Sequence, residues 1–307
     1  MARFVLTKFA GAILTLLFAL TIAFLLAHAS GNPVYNMLGP TAPRSQIIAL
    51  QRQLGLNHSF IYQYGAYLNS LLHFHLGSSL EFLQSNWSLI WSRLPNSIEL
   101  LGCAMFLAVI IGVPLGIVAA IKRGTIWDRI ASTLALLGQS VPIFWLGIMF
   151  ILIFSVKLNW LPAGQKGGFT SYILPSVGLS LLPLAQIARL MRATMSEVLG
   201  EPYMDAAKAR GLSWSRTILN HALRNASLPV ITIISLQMGT LLSGAIAVEY
   251  VFGWPGIGTL AINAIQFHDY ALIQAIVIVG VLSFVLLNLL VDILYGIIDP
   301  RIRDGAK

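Results

Sequence analysis

IELLGCAMFLAVIIGVPLGIVAAI, Ile98 to Ile121, is an apolar run of 24 residues with no two-residue alternation. As a helix it rises about 36 Å, enough to cross roughly 30 Å of hydrocarbon. Only helices and closed barrels satisfy every backbone polar group in a bilayer, and a run this long without alternation reads as a helix. Five more runs accompany it: Phe9 to Ala29 before it, then Ile130 to Val156, Tyr172 to Met195, Leu228 to Val251 and Ala271 to Ile298. With 57% hydrophobic residues and a mean hydropathy of +0.80, the 307-residue chain is more apolar than a soluble core of its size requires. The expected fold is all-α, a polytopic membrane protein with six transmembrane helices.

The net charge of +8 could point to a nucleic-acid partner, but in a membrane protein basic residues first report orientation. With the N-terminus inside, fourteen of the 19 Lys and Arg fall on the cytoplasmic side, six of them between Arg189 and Arg224. Arg44, Arg52, Arg93, Lys157 and Lys166 remain outside. Both termini are therefore expected in the cytoplasm, membrane lipid is the expected surroundings, and no nucleic-acid site is expected. Arg3 and Lys8 precede an apolar stretch ending in Ala27-His28-Ala29, which mimics a signal-peptidase site. The run exceeds the roughly 7 to 15 residues of a secretory signal, so it is read as an uncleaved anchor. Cys103, the single cysteine, is read as a small packing residue within the second run.

Three regions follow: residues 1–29 with the first transmembrane helix, an external segment 30–96 with short surface helices, and a five-helix core 97–307 that carries a cytoplasmic loop at 196–227. In the external segment Ser45 to Leu56 has a helix-start residue and spaced apolar positions, which predict a short helix. Pro114, Pro142, Pro175 and Pro183 interrupt apolar runs and are expected to kink them. Gly112 and Gly116, four apart, would let another helix approach closely. VEYVFGWPGIGTL, Val248 to Leu260, has three glycines and a proline after the fifth run, and cannot simply continue a helix. A re-entrant or outward-facing cap is expected there.

The sequence contains no phosphate loop, zinc-protease helix or nucleophile elbow, so the chain is expected to hydrolyse nothing itself. His73 and His75 form an H-x-H pair that reads as surface residues rather than metal ligands. Asp292 lies near the cytoplasmic end of the sixth run, where pairing with Arg189 or Arg192 is expected. An ion-coupled transporter would need more intramembrane carboxylates. The loop from Met195 to Asn225 places acids early and bases late, as two short helices prefer. Pro202 suits a first turn, Ala206, Ala207 and Ala209 favour helix, Gly211 can end it in a left-handed cap, and Ser213 can start the next. A narrow bump results, able to enter a cleft on another protein, with Asp205, Lys208 and Arg210 at its rim.

Asp205-Ala206-Ala207, three residues, then Gly211 resembles the EAA loop of ATP-binding-cassette importer permeases, with aspartate for the usual glutamate. HALRNASLP from His221, SVPIFWLG from Ser140, WLPAG from Trp160, ARLMRA from Ala188, EYVFGWPGIG from Glu249 and DPRIR from Asp299 are similar to the dipeptide, oligopeptide and nickel branch, B-type subunit. Asn32 in SGNPV departs from that branch, where aspartate is common. The resemblance implies the type I importer permease fold and a half-pore that pairs with a second homologous permease. It further implies two cytoplasmic ATPases, which would bind ATP and Mg, and an external or periplasmic solute-binding protein. No cofactor is implied for this chain.

The coupling residues so implied are Glu201, Asp205, Ala206, Ala207, Lys208, Arg210, Gly211 and Leu212. Gln139, Ser140, Phe144, Gln237, Ser243 and Glu249, polar or aromatic residues on the third and fifth runs, are the candidates for the solute pathway. Di- or oligopeptides are the implied cargo, with nickel chelates or glutathione as alternatives. A stand-alone ion-coupled transporter is the competing reading from a different class.

Overall fold

In the computed structural model the regular elements among the described residues are helices. The structure describes residues 2–298 except 30–33, 35–37, 39–41, 54–56, 74, 80, 127, 130–132, 134–137, 139, 212 and 268; the side chains of 2–8, 23, 26–29, 50, 53, 208 and 290–298 are not described. In chain order the helices are α1 (Ala2–Ala29), α2 (Arg44–Gln53), α3 (Phe60–Leu72), α4 (Asn86–Ile121), α5 (Ile143–Phe150), α6 (Thr170–Leu199), α7 (Pro202–Ala209), α8 (Trp214–Thr217), α9 (Leu223–Val251), α10 (Ile257–Gln266) and α11 (Tyr270–Ile298). A π-helical stretch, Ile151–Lys157, continues α5, and another, Ile218–Ala222, joins α8 to α9.

Among the described residues four helical stretches are long and apolar enough to cross a membrane: Asn86–Ile121, Thr170–Leu199, Trp214–Val251 and Tyr270–Leu289. Ile143–Lys157, in the expected third span, is apolar but shorter, and α1, the expected first span, is a helix of 28 residues whose stretch Phe9–Ile22 is apolar. In the third run Pro142 adopts an extended ψ of 131° and α5 starts after it, so this proline breaks the helix where a kink was expected. Pro175 and Pro183 by contrast lie inside the continuous α6.

The second run extends well beyond its expected start at Ile98, because α4 begins at Asn86. The amide of Asn86 bonds the carbonyl of Gly77, and its side-chain nitrogen donates to the carbonyl of Leu76 at 2.8 Å. Trp87 and Trp91, one turn apart, stack with ring centroids 5.7 Å apart on the exposed side, while Leu89 and Ile90 are buried. That is the helical spacing of a membrane-interface segment.

The chain forms two compact units. The first contains Asn96–Pro255 and the end of α11; the second contains Ala2–Pro95 and Gly256–Leu289. In the first unit α6 packs along α9, and Leu179, Ile187 and Met191 share a core with Ala226, Val230, Leu241 and Ala245. On α4 the positions Ala104, Ala108, Gly112, Gly116 and Ala120 recur every four residues and are all buried. This stripe of small residues meets α6: a Cβ on Gly116 would stand 2.6 Å from the Ala188 carbonyl oxygen and from Met191 Cβ. The close approach expected of Gly112 and Gly116 is present. In the second unit Leu89 and Ile90 pack with Leu260, Ala264, Leu272 and Ala275. Phe24 of α1 lies 5.2 Å, centroid to centroid, from each of Phe60, Tyr64 and Tyr67 of α3, a helix within residues 30–96 to which the sequence reading gave no position. Buried Asp269 accepts from the Leu272 amide at 3.1 Å and from Ser79 Oγ at 2.5 Å, which caps the start of α11.

Candidate functional site

The knuckle between α6 and α9 is built from its own short-range chemistry. Gly200 and Glu201 turn the chain out of α6, with the Glu201 amide donating to the Val198 carbonyl, and Pro202 opens α7. Gly211 follows α7 with φ of +75°, the left-handed conformation that β-carbons disfavour. Ser213 then takes the N-cap position of α8 with an extended backbone, as expected, but its side chain makes no capping bond. Instead Thr217 Oγ1 donates to the Ser213 carbonyl at 3.1 Å.

Two sides of the knuckle differ. Met204, Ala207, Thr217, Ile218 and Ala222 are buried, and Asn225 Nδ2 donates to the Tyr203 hydroxyl at 2.8 Å, tying α9 to α7. Glu201, Asp205, Ala206, Arg210 and Gly211 are exposed. Of the two alanines in the motif, Ala206 thus faces outward and Ala207 inward. Leu212 and the side chain of Lys208 lie outside the described residues.

On the loop between α4 and α5, Asp128 is buried and accepts from Arg192 of α6 through two bonds, at 2.5 Å to Nε and 3.0 Å to Nη2, and from the Gly124 amide at 2.9 Å. The hydrogen bond from Arg192, then that from Gly124, holds the Asp128 carboxyl below its usual range. Arg192 is therefore paired with Asp128, an acid the sequence reading did not single out. Asp292 itself lies outside the described side chains.

A second network gathers the residues near the loop that precedes α6. Lys166 Nζ donates to Glu99 at 2.5 Å and to Asn96 Oδ1 at 2.8 Å, and the Tyr172 hydroxyl donates to the same Glu99 oxygen at 2.8 Å. Bonding to Glu99 pushes the Lys166 ammonium above the ordinary lysine value. Asn96 Nδ2 donates to the Pro255 carbonyl at 2.7 Å, while Trp254 Nε1 donates to the Asn96 carbonyl at 3.0 Å. Ser97 Oγ donates to Glu249 at 2.6 Å, and the Gln165 amide to the Phe252 carbonyl at 2.8 Å. The irregular chain expected after the fifth run is thereby fastened to the start of the α4 span and to the WLPAG loop, with Trp254, Phe252 and Glu249 almost fully buried.

Residues 112–304 match the family described as the binding-protein-dependent transport system inner membrane component, and residues 1–101 match its N-terminal membrane component. The chain belongs to this family. The permease is 39% identical to the dipeptide transport system permease protein DppB of Escherichia coli strain K12, over 99% of each chain. It is equally 39% identical to the glutathione transport system permease protein GsiC of Escherichia coli O6:H1, again over 99% of each. Among solved structures it resembles an inward-facing MetNI methionine ABC transporter with a TM-score of 0.59 and 17% identity, over 69% of this chain and 97% of that one. A second, an amino acid ABC transporter, gives 0.51 and 15%, over 68% and 93%. Its fold is that of type I ABC importer permeases, and it is a multi-pass inner-membrane permease component of the peptide branch.

The pathway candidates of the permease separate by burial. Gln237 is buried and donates to Gln186 of α6, while Thr240 Oγ1 donates to Gln237 at 2.7 Å. Glu249 is held by Ser97 as described. Ser140, Phe144 and Ser243 are exposed, and Gln139 lies outside the described residues. Sequence reasoning missed Gln186, Asp128, Asn96, Glu99 and Lys166. A signal for the last two existed: Glu99 is an acid at the edge of an apolar run, opposite in sign to the lysine of a loop that the sequence reading placed on the same side. His73 and His75 are exposed, and each ring bonds a backbone carbonyl through Nδ1.

Proposed function

We propose that this permease forms half of the translocation pore of an ATP-driven, binding-protein-dependent importer of di- and oligopeptides. Six spans place both termini in the cytoplasm. A second homologous permease completes the pore, two cytoplasmic ATPases bind ATP and Mg and hydrolyse the nucleotide, and an external solute-binding protein delivers cargo. No cofactor resides in this chain. The cargo reading is carried by the identity to DppB over 99% of both chains. A second reading, glutathione, has the equal identity to GsiC in its favour. Glutathione is itself a small peptide, so both readings name one chemical class.

The mechanism follows from the knuckle. Glu201, Asp205, Ala206, Arg210 and Gly211 present a narrow, mixed-charge surface to a cleft on the ATPase, with Lys208 and Leu212 in the same segment. Met204, in the core with Met195 and Ala226, and the bond from Asn225 to Tyr203 tie the knuckle to the ends of α6 and α9, so closure of the ATPases is transmitted to these two helices of the first unit. To invert a 1:99 distribution of pore states, the ATP-bound partners must favour one state by about 5.5 kcal/mol. Ser140, Phe144 and Ser243 are the exposed candidates for touching solute, with Gln139 beside Ser140 in sequence.

The test is import by the assembled transporter in proteoliposomes. Ala206→Arg inserts a long charge into the exposed docking surface and leaves the buried side intact. Dipeptide uptake and peptide-stimulated ATP hydrolysis should both fall by roughly thirty-fold, the effect of losing an interface contact worth about 2 kcal/mol. Uptake at the unsubstituted rate refutes the assignment. Competition by unlabelled glutathione against dipeptide for the binding protein decides between the two cargo readings.

A further inference from the structure

Arg216, Leu219, Asn220, His221 and Arg224 line an open cleft where α8 passes through the π-helical turn Ile218–Ala222 into α9. Hydrogen bonds in a π turn join residues five apart, which brings side chains five apart toward one face. Arg216 and His221 have that spacing, as do Leu219 and Arg224. The lining carries two arginines, a histidine and an amide, and no acid. Lys166 pairs with Glu99 and Arg192 with Asp128, and among the described residues no carboxylate is seen paired with Arg216 or Arg224.

The surroundings are apolar in a way that suits a lipid. Leu219 is 59% exposed, Trp214 47% and Leu228 39%. Leu228 opens the apolar run of α9, so Arg224 stands about 6 Å and His221 about 10 Å before it along a helix axis. A headgroup layer about 5 to 8 Å thick borders the hydrocarbon core, and basic side chains reach across it. The docking surface of α7 differs: it combines Asp205 with Arg210 around a small alanine, as a protein partner would require.

We propose that this cleft binds the phosphate of an anionic phospholipid headgroup at the membrane surface. The two guanidinium groups chelate the phosphate oxygens, Asn220 donates an amide hydrogen, and Trp214 and Leu219 enter the interface beside the headgroup. A lipid held there steadies the π turn that connects the knuckle to α9. The site depends on the chain being a membrane permease and not on ATP coupling, so its test is independent of transport.

The assembled, full-length permease in detergent is titrated with phosphatidylglycerol, phosphatidylcholine and inorganic phosphate, and adducts are counted by native mass spectrometry. Phosphatidylglycerol should bind preferentially. Arg216→Gln with Arg224→Gln should weaken it roughly thirty-fold, about five-fold for each basic residue at an anionic surface. The double lysine variant should regain most of that affinity, and phosphatidylcholine binding should not change. Equal phosphatidylglycerol occupancy with and without the arginines overturns the proposal. So does inorganic phosphate binding as tightly as the lipid, or a photoreactive group at Asn220 attaching to a protein partner rather than to lipid.

Discussion

Gly116 leaves no room for a side chain: a Cβ there would lie 2.6 Å from both a carbonyl oxygen and a methionine Cβ on α6. Gly116→Ala should therefore force α4 and α6 apart and cost about 1 to 3 kcal/mol, read as a lowered thermal midpoint in detergent. Gly102 on the same helix has open space at its Cβ position, so Gly102→Ala should show no such loss. Asp128 offers a test by pH. Its folded value lies below the ordinary 3.8, so its pairing stabilises the protein above that value and is lost as pH falls below it. Stability should thus be flat in this respect from neutral to mildly acid solution and fall only in strong acid. Asp128→Asn should remove the acid-dependent step and cost about 1 to 3 kcal/mol at neutral pH, since a buried acceptor of Arg192 loses its charge.

Between elements, the strength of the network around Asn96 depends on exposure. The side chains of Lys166 and Glu99 are 31% and 46% exposed, so a double-mutant cycle with Lys166→Met and Glu99→Gln should give a coupling of about 0.2 to 1 kcal/mol, reduced by salt. Trp254 is fully buried, and Trp254→Phe removes its Nε1 bond to the Asn96 carbonyl and leaves a smaller ring in a filled site; that change should cost about 1 to 3 kcal/mol in thermal unfolding. The elements themselves were legible from sequence where apolar length decided them, as in α4, α6, α9 and α11. The positive φ of Gly211 and the helix start at Pro202 were legible because one residue type determines the local backbone, whereas at Pro142 the sequence suggested a kink and the helix breaks. The pairings were not: Ser97 and Glu249 are 152 positions apart, and Gln186 and Gln237 are 51 apart, so no spacing rule links them. Helix α3 was not located from sequence. Its packing on Phe24 depends on a contact that only the fold supplies.

For the whole molecule the decisive quantity is the side on which the knuckle lies, and the charge asymmetry that places it inside can be tested without transport. Cys103 is the only cysteine, so Cys103→Ser gives a background free of thiols. In that background Arg210→Cys and Lys166→Cys each expose one thiol on a surface position of the first unit. A membrane-impermeant maleimide added to intact spheroplasts should label the Lys166 position and not the Arg210 position, and inside-out vesicles should give the reverse. The two sites belong to one polypeptide on opposite ends of α6, so each serves as the control for the other's expression and insertion. Fourteen of the 19 basic residues would face the anionic, electrically favoured side under that result. Labelling of the Arg210 position from outside would put the knuckle beyond reach of any cytoplasmic ATPase, and the coupling mechanism would fail however well the chain folds.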